Sequence, residues 1–387
     1  MELFFNKYSL VFSILILLSN AVISQDYTEV KNDVRSRADE APSYLPDDPD
    51  ELANYLTEDI SQEWLKAYAI YYWVANNLQY DLRLARKGGT FVDPRELIDY
   101  ALDKKEGVCQ HYAELFHYLA TQAGLESMVI TGYTRQHGQI NDIAHAWNAV
   151  KINGSWYLFD PTWGSGYIEN GRVYNEYNEK WFMKTPGEMI RNHMPFDPLF
   201  QFLNKPLTNY DFYENRENGY RLKYKDINQT LEEHLSLPEE EQLLAAVERM
   251  KESGIINEMI LREVNSYIDR INAKRHNEQV DVHNQAVQAF NEAVALFNEY
   301  IQAKNKQFRI EGYSDEYLRE TFNTIYSKAM TARSLFSMVK PAEKDFNRAM
   351  KQNLDRLSEL TGRLEKEKLF LEKYFTTRPG KRMQLFR

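Results

Sequence analysis

The residues able to do chemistry fall in three short stretches. Gly107-Val108-Cys109-Gln110-His111 holds the only cysteine of the 387-residue chain, Ala144-His145-Ala146-Trp147 a histidine, and Leu158-Phe159-Asp160-Pro161-Thr162-Trp163 a carboxylate followed by an indole. A thiol, an imidazole and a carboxylate are the parts of a nucleophilic acyl-transfer centre. The imidazole takes the thiol proton or holds the thiolate as an ion pair, and the carboxylate fixes the imidazole tautomer and stabilises its cationic form. Each residue alone has a plainer explanation: a small buried hydrophobe, a structural side chain, a turn former. Their conjunction is what points to catalysis by Cys109, His145 and Asp160. A tetrahedral intermediate also needs oxyanion donors. The Cys109 backbone N–H is one, Tyr80, Trp73 and Gln110 are candidates for a second, and Trp147 and Trp163 are candidate substrate-binding residues.

A helix must present the thiol. Tyr112, Leu115, Phe116, Leu119, Ala120 and Ala123 recur three and four apart and stop at Gly124, which predicts an amphipathic helix with Cys109 in its first turn. Unpaired N–H groups and the positive end of the helix dipole favour thiolate over thiol there. A hairpin must present the other two residues. Met128 to Thr134 reads as a strand, and after the polar loop Arg135 to Asp142 two more, His145–Ile152 and Ser155–Asp160, flank Asn153-Gly154, a strong hairpin signal. A two-residue turn sets Trp147 across from Asp160 and His145 across from Thr162. His145, Trp147 and Asp160 then share one face, with His145 and Asp160 as diagonal neighbours. A three-residue loop would turn Asp160 to the far side and break the couple.

The remaining elements follow from periodicity and punctuation. Residues 1–24 read as a signal peptide, with Lys7 ahead of an apolar run from Leu10 to Leu18 and small residues before Gln25; an uncleaved anchor is the alternative. A secreted or periplasmic protein is therefore expected, with no stable membrane span after signal removal. In an oxidising compartment a lone cysteine has no internal partner and is either reactive or deeply buried. Residues 25–59 form a proline-punctuated arm. Ser61 offers a cap for a helix through Leu78, and Pro94 leads another to about Leu102. Residues 161–230 suggest short strands and long loops.

From about Ser236 the composition becomes Glu, Lys, Gln and Ala-rich, and Ser236-Leu237-Pro238-Glu239 looks like a capping box. Long helices are expected at about 239–252, 255–309, 315–339 and 342–375, an antiparallel bundle or helical hairpin. The boundaries are thus an arm at 25–59, a catalytic domain at 60–230 and a helical domain at 236–387. Residues 231–387 are balanced in charge and 1–230 carry the whole net charge of −10, which argues against nucleic-acid binding. His111, His117, His137 and His193 read as surface or packing residues. His276 and His283 fit a solvated helix face better than a metal site, so no cofactor or metal is expected.

The three stretches resemble, in order and spacing, the signature blocks of the transglutaminase-like superfamily. The resemblance covers roughly residues 60–215. Trp64 to Asp81 and Met189 to Pro195 are similar to the flanks of the branch that includes kyphoscoliosis peptidase and exported bacterial members. It implies an α+β, papain-like transglutaminase core, with the Cys helix packed on an antiparallel sheet, and a thioester formed on Cys109 with His145 as base and Asp160 as orienting carboxylate. The substrate would be a protein or peptide carbonyl, and the outcome hydrolysis, deamidation or cross-linking, with the peptidase branch favouring hydrolysis. The single cysteine excludes the zinc-binding pairs of peptide N-glycanase, and no EF-hand-type loop supports calcium control. A catalytically silent binding scaffold, docking a protein partner through the C-terminal helices, is the alternative.

Overall fold

A computed structural model describes residues 28–87, 93–216, 223–309, 313–340 and 344–386. The expected signal peptide and the Gly88-Gly89 loop lie outside these residues. The chain divides into two compact units, one closing at Tyr267 and one opening at Ile268.

The first unit begins with helix α1 (residues 28–39), α2 (Pro49–Thr57), α3 (Glu63–Asn77), strand β1 (Gln79–Tyr80), α4 (Leu82–Lys87), α5 (Pro94–Lys104), β2 (Glu106–Gly107) and α6 (Cys109–Gln122). Asp48 and Asp93 cap α2 and α5 through their carboxylates, each followed by a proline at N1, the position where a missing N–H costs nothing. Ser61 does not cap α3; that helix opens after Gln62 with no side-chain cap, because burial of Tyr68, Tyr71, Trp73 and Val74 fixes it instead.

The entry to α6 is tightly specified. β1 and β2 pair in parallel, Tyr80 beside Gly107, and a Cβ on Gly107 would stand 2.6 Å from the Cβ of His111. His111, expected at the surface or in packing, is fully buried. Its Nδ1 accepts the Val108 N–H at 3.2 Å, satisfying a donor that the helix cannot.

Strands β3 (Ser127–Gln136), β4 (Gln139–Ile140), β5 (His145–Ile152) and β6 (Ser155–Phe159) follow in an antiparallel sheet of order β4-β3-β5-β6. Asn153 and Gly154 adopt φ of 49° and 79°, the left-handed pair of a two-residue turn. Ile152 accordingly faces Ser155, and the ladder runs to Asn148 and Phe159. There it stops. Pro161 opens helix α7 (Pro161–Gly164), and Asp160 caps it by accepting the Trp163 N–H. Thr162 is therefore helical and does not face His145, a correction that follows from proline's suitability for a first helical turn over a ladder.

Beyond α7 come β7 (Gly166–Glu169), β8 (Arg172–Asn175), α8 (Pro186–Met189), β9 (His193–Pro195), α9 (Asn209–Tyr213), α10 (Ile227–Ser236) and α11 (Glu239–Ser253). β9 pairs with β3, Thr134 beside His193. Helix α6 lies on one sheet face, where the Asn148 side chain donates to the Ala113 carbonyl at 2.9 Å, and a core of Tyr68, Trp73, Phe116, Val150 and Phe159 fills that layer. A second core, with Ile130, Trp147, Trp156, Leu158 and Trp181, lies on the other face.

Helix α11 belongs to this first unit, although composition changes before it. Arg249 donates to both Asp197 oxygens at 2.8 and 2.6 Å, and the Asn209 N–H donates to Ser253 Oγ at 2.9 Å. Ser236 forms no capping box; its hydroxyl donates to the Glu233 carbonyl as α10 ends, and α11 opens on Pro238 without a side-chain cap.

Helix α12 (Glu258–Asn305) runs past Ile268, and with α13 (Asp315–Met338) and α14 (Lys344–Thr376) it makes the second unit. Lys328 reaches Glu292 and the Lys340 N–H reaches Gln279, so α13 runs antiparallel to α12. Tyr300 and Lys304 both reach Glu367. Phe290, Phe297, Phe322, Phe336 and Leu364 fill its own core.

Two stability predictions follow from these contacts. Burial pushes the His111 imidazole down to about 4, below the roughly 6.5 of an unfolded histidine. The unfolded chain thus binds the proton first, and stability present above about pH 6.5 is lost as pH falls toward 4, by up to about 3 kcal/mol. Urea unfolding across that window should show a smaller loss in His111→Gln, which keeps an acceptor and cannot titrate. Arg249→Leu should destabilise the first unit by about 3–5 kcal/mol in the same measurement, since Asp197 stays buried without its counterion.

Candidate active site

Cys109 opens α6 and is partly exposed. Its thiol lies close enough to His145, the first residue of β5, to favour the protonated ring. His145 Nε2 lies 2.8 Å from Asp160 Oδ2, the couple expected from the hairpin register even though Asp160 has left the strand. Asp160 is fully buried, and it is an acceptor three times over. Oδ1 takes the Trp163 N–H at 3.0 Å, and Oδ2 takes His193 Nε2 at 3.0 Å as well as His145.

Since an anionic carboxylate can only accept, Nε2 of each ring carries a proton toward it. On His145 that leaves Nδ1 as the nitrogen not committed to the carboxylate. That nitrogen is the one able to receive the Cys109 proton.

Burial opposes charge on His145, but attraction to Asp160, the hydrogen bond to it and the contact with Cys109 raise its pKa well above the ordinary histidine value. Burial also opposes the Asp160 anion, yet His145 and then His193 hold its pKa below the usual carboxylate range. His193 moves the other way. Burial pushes it down to about 4, with Asp160 resisting and His145 reinforcing the shift.

Indoles enclose the couple. The Trp147 ring lies 6.1 Å from His145 and nearly parallel to it, and Trp163 lies 5.5 Å away. Trp163 also packs 4.4 Å from His193 and 4.8 Å from Trp181. Both tryptophans singled out in the sequence are thus at the couple, as walls around it.

The candidate oxyanion donors separate. Tyr80 stands near the thiol, and burial followed by the neighbouring Cys109 raises its phenol pKa far above the ordinary value, so it is a protonated donor. The backbone N–H groups of Cys109 and Gln110 stand in the first helical turn, where no helix carbonyl meets them. The Gln110 side chain is half-buried and takes no part in the hydrogen bonds at Asp160. Trp73 is a core residue, 2% exposed, with the Lys105 ammonium 5.2 Å from its ring centre.

His193 is the member that sequence reasoning missed. It lies far from the other three in the chain, and only its place in the Met189 to Pro195 stretch, already similar to a family flank, carried a signal. His145, Asp160 and His193 bring a nitrogen or oxygen each within 4.8 Å of one another, a donor set with the composition to chelate a cation. Both imidazoles instead point Nε2 at one oxygen at N–H···O distances, which describes a hydrogen-bond network. His276 and His283 both lie against Phe346, and His283 also packs on Phe336 within the second unit.

Comparison with known proteins gives the family of the domain. Residues 50–161 match the family model of the transglutaminase-like superfamily, a span that contains Cys109, His145 and Asp160. The chain is 31% identical over 175 residues to kyphoscoliosis peptidase of Homo sapiens, covering 43% of this chain and 26% of that protein. It is 28% identical over 185 residues to hillarin of Drosophila melanogaster, covering 42% of this chain and 21% of that one. The chain thus spans about a quarter of the curated relatives it matches. Among solved structures, the periplasmic domain of TgpA from Pseudomonas aeruginosa aligns with 23% identity and a TM-score of 0.25, over 34% of this chain and 48% of that one. A helix carrying a thiol at its tip, packed on an antiparallel sheet that carries the imidazole, is what residues 50–161 build, and over those residues the chain carries a transglutaminase-like domain.

Proposed function

We propose that the domain is a cysteine acyl-transfer enzyme acting on peptide or glutaminyl carbonyls, with Cys109 as nucleophile, His145 as base and Asp160 as the carboxylate that orients it. The observation that carries this reading is the buried His145–Asp160 hydrogen bond of 2.8 Å, with the Cys109 thiol at the tip of α6 beside that imidazole. His145, whose raised pKa favours the imidazolium, holds the proton of the Cys109 thiol as sulfur attacks the carbonyl carbon. The C–S bond forms, the oxyanion meets the Cys109 N–H and the Tyr80 hydroxyl, and the C–N bond breaks as His145 returns the proton to the leaving amine. Water, deprotonated by His145, then attacks the thioester carbonyl; the C–S bond breaks, the acid leaves, and His145 returns the proton to the Cys109 sulfur.

Hydrolysis is the favoured outcome. The curated relative with 31% identity is named a peptidase, and that supports water over a lysine amine as acceptor. Residues 1–24 are proposed to direct export, so that the enzyme acts in the periplasm or outside the cell. Among the described residues no helix is long and apolar enough to cross a membrane. The second unit, with its own core, is proposed to dock a protein partner.

Peptide mixtures incubated with the protein and with Cys109→Ala, then weighed by mass spectrometry, test the reaction. The expected result is cleavage in the first and none in the second; a gain of about one dalton or an amine adduct would instead name deamidation or cross-linking. His145→Ala should lower turnover by about 10²–10⁴-fold with the fold intact. Unchanged turnover in that variant would remove His145 from the mechanism.

A further inference from the structure

The steps above use one of the two imidazoles on Asp160. The other, His193, is 1% exposed and sits on β9, which is laddered to β3 beside Thr134; β3 is in turn laddered to β5, where Gly132 faces His145. Both rings are therefore carried by one sheet. Trp163, Trp181 and Trp147 surround the His193 ring at 4.4, 5.0 and 5.1 Å. Its Nδ1 is buried with no hydrogen-bond partner, whereas its Nε2 meets Asp160 Oδ2 at 3.0 Å.

A polar ring fully enclosed by indoles, with one nitrogen left unsatisfied, is an expensive way to fill space. An apolar side chain would pack there at lower cost. The unsatisfied nitrogen also fixes the chemistry of the other: a neutral ring has one proton, and the anion facing Nε2 requires it there.

We propose that His193 is a positioning residue, a neutral second donor that locks the Asp160 carboxylate and through it the His145 ring, so that the site is a Cys109–His145–Asp160–His193 chain of four. This rests on the acyl-transfer function proposed above. With His145 on Oδ2 as its only side-chain donor, the carboxylate could turn about its bond to Cβ and carry the imidazole with it. Donors from three elements, β5, β9 and the first turn of α7, hold its plane. Neutrality is part of the device, because a cationic His193 would compete with His145 for the same oxygen and repel it. The ionisable groups around this carboxylate are His145 on β5, Cys109 on α6, Tyr71 on α3, Tyr80 on β1 and His193 itself.

The test is alkylation of Cys109 by iodoacetamide in the full-length protein, read as intact mass across about pH 4 to 9, a range spanning histidine titration. One cysteine makes the signal unambiguous. His193→Met removes the donor at similar volume. It should slow alkylation at about pH 6 by roughly 10- to 100-fold, the size of one hydrogen bond to a charged group. It should also move the acid limb of the profile to higher pH, because a carboxylate with one donor fewer is easier to protonate. His193→Gln, which can keep an N–H toward Asp160, should recover most of the rate.

Nitrogen-15 NMR of the wild-type imidazoles decides the matter even where His193→Met does not fold. The expected signal is a neutral His193 with its proton on Nε2 through the neutral range. A proton on Nδ1, or a cationic ring, overturns the proposal, as does a folded His193→Met with the wild-type rate and profile. His145→Ala separates the two levels. If it alkylates as fast as wild type, the acyl-transfer reading falls and takes this one with it; if it is slow while His193→Met is not, only the role of His193 falls.

Discussion

A fully buried carboxylate is the constraint around which the first unit is arranged. Asp160 cannot remain ionised in a dry interior unless donors replace the water it has lost, and the cost of failing is several kcal/mol. Its three donors come from different parts of the chain: the Trp163 N–H from the helix that Asp160 itself caps, His145 from the neighbouring strand and His193 from a strand reached only after a long excursion. Each demand fixes a piece of architecture. The cap requires the ladder to end at Phe159 and Pro161 to start a helix. The imidazoles require β5 and β9 to lie on the two sides of β3.

The thiol is positioned by different means. Nothing on the sheet determines where α6 begins; the parallel pair of Tyr80 and Gly107, the absence of a side chain at Gly107 and the neutral His111 holding the Val108 N–H do so. Base and carboxylate are sealed while the nucleophile stays partly exposed. That division suits the proposed chemistry, because a substrate carbonyl must reach sulfur whereas water at the ion pair would weaken it.

Local signals in the sequence are reliable where chain geometry alone decides, and weak where distant contacts decide. Asn153-Gly154 permits one turn, so the register, and with it the meeting of His145 and Asp160, is legible in the residues themselves. The spacing of Tyr112, Leu115, Phe116 and Leu119 likewise locates the Cys109 helix. Ser61 and Ser236 carry capping signals that the chain does not use, because buried aromatic residues and the end of α10 determine those boundaries. The change in composition near Ser236 suggests a boundary there, but Arg249 ties α11 to Asp197, and a pairing across that distance leaves no local trace. His193 is illegible for the same reason, its meaning depending on strand β9 returning to the edge of β3.

The two imidazoles on Asp160 show how little burial alone predicts. Both rings pack against Trp147 and Trp163 and both offer Nε2 to the same oxygen, yet the pKa of one is raised and that of the other lowered. Desolvation disfavours the cation at each. What distinguishes them is that one carboxylate can neutralise one charge, and the neighbouring Cys109 favours that charge on His145, whereas the Nδ1 of His193 has no hydrogen-bond partner. A second proton on the pair would place two cations about one anion in a medium too dry to screen them. The asymmetry between the two rings therefore lies in what stands beside each, and in the proposed reaction the thiol helps to select its own base.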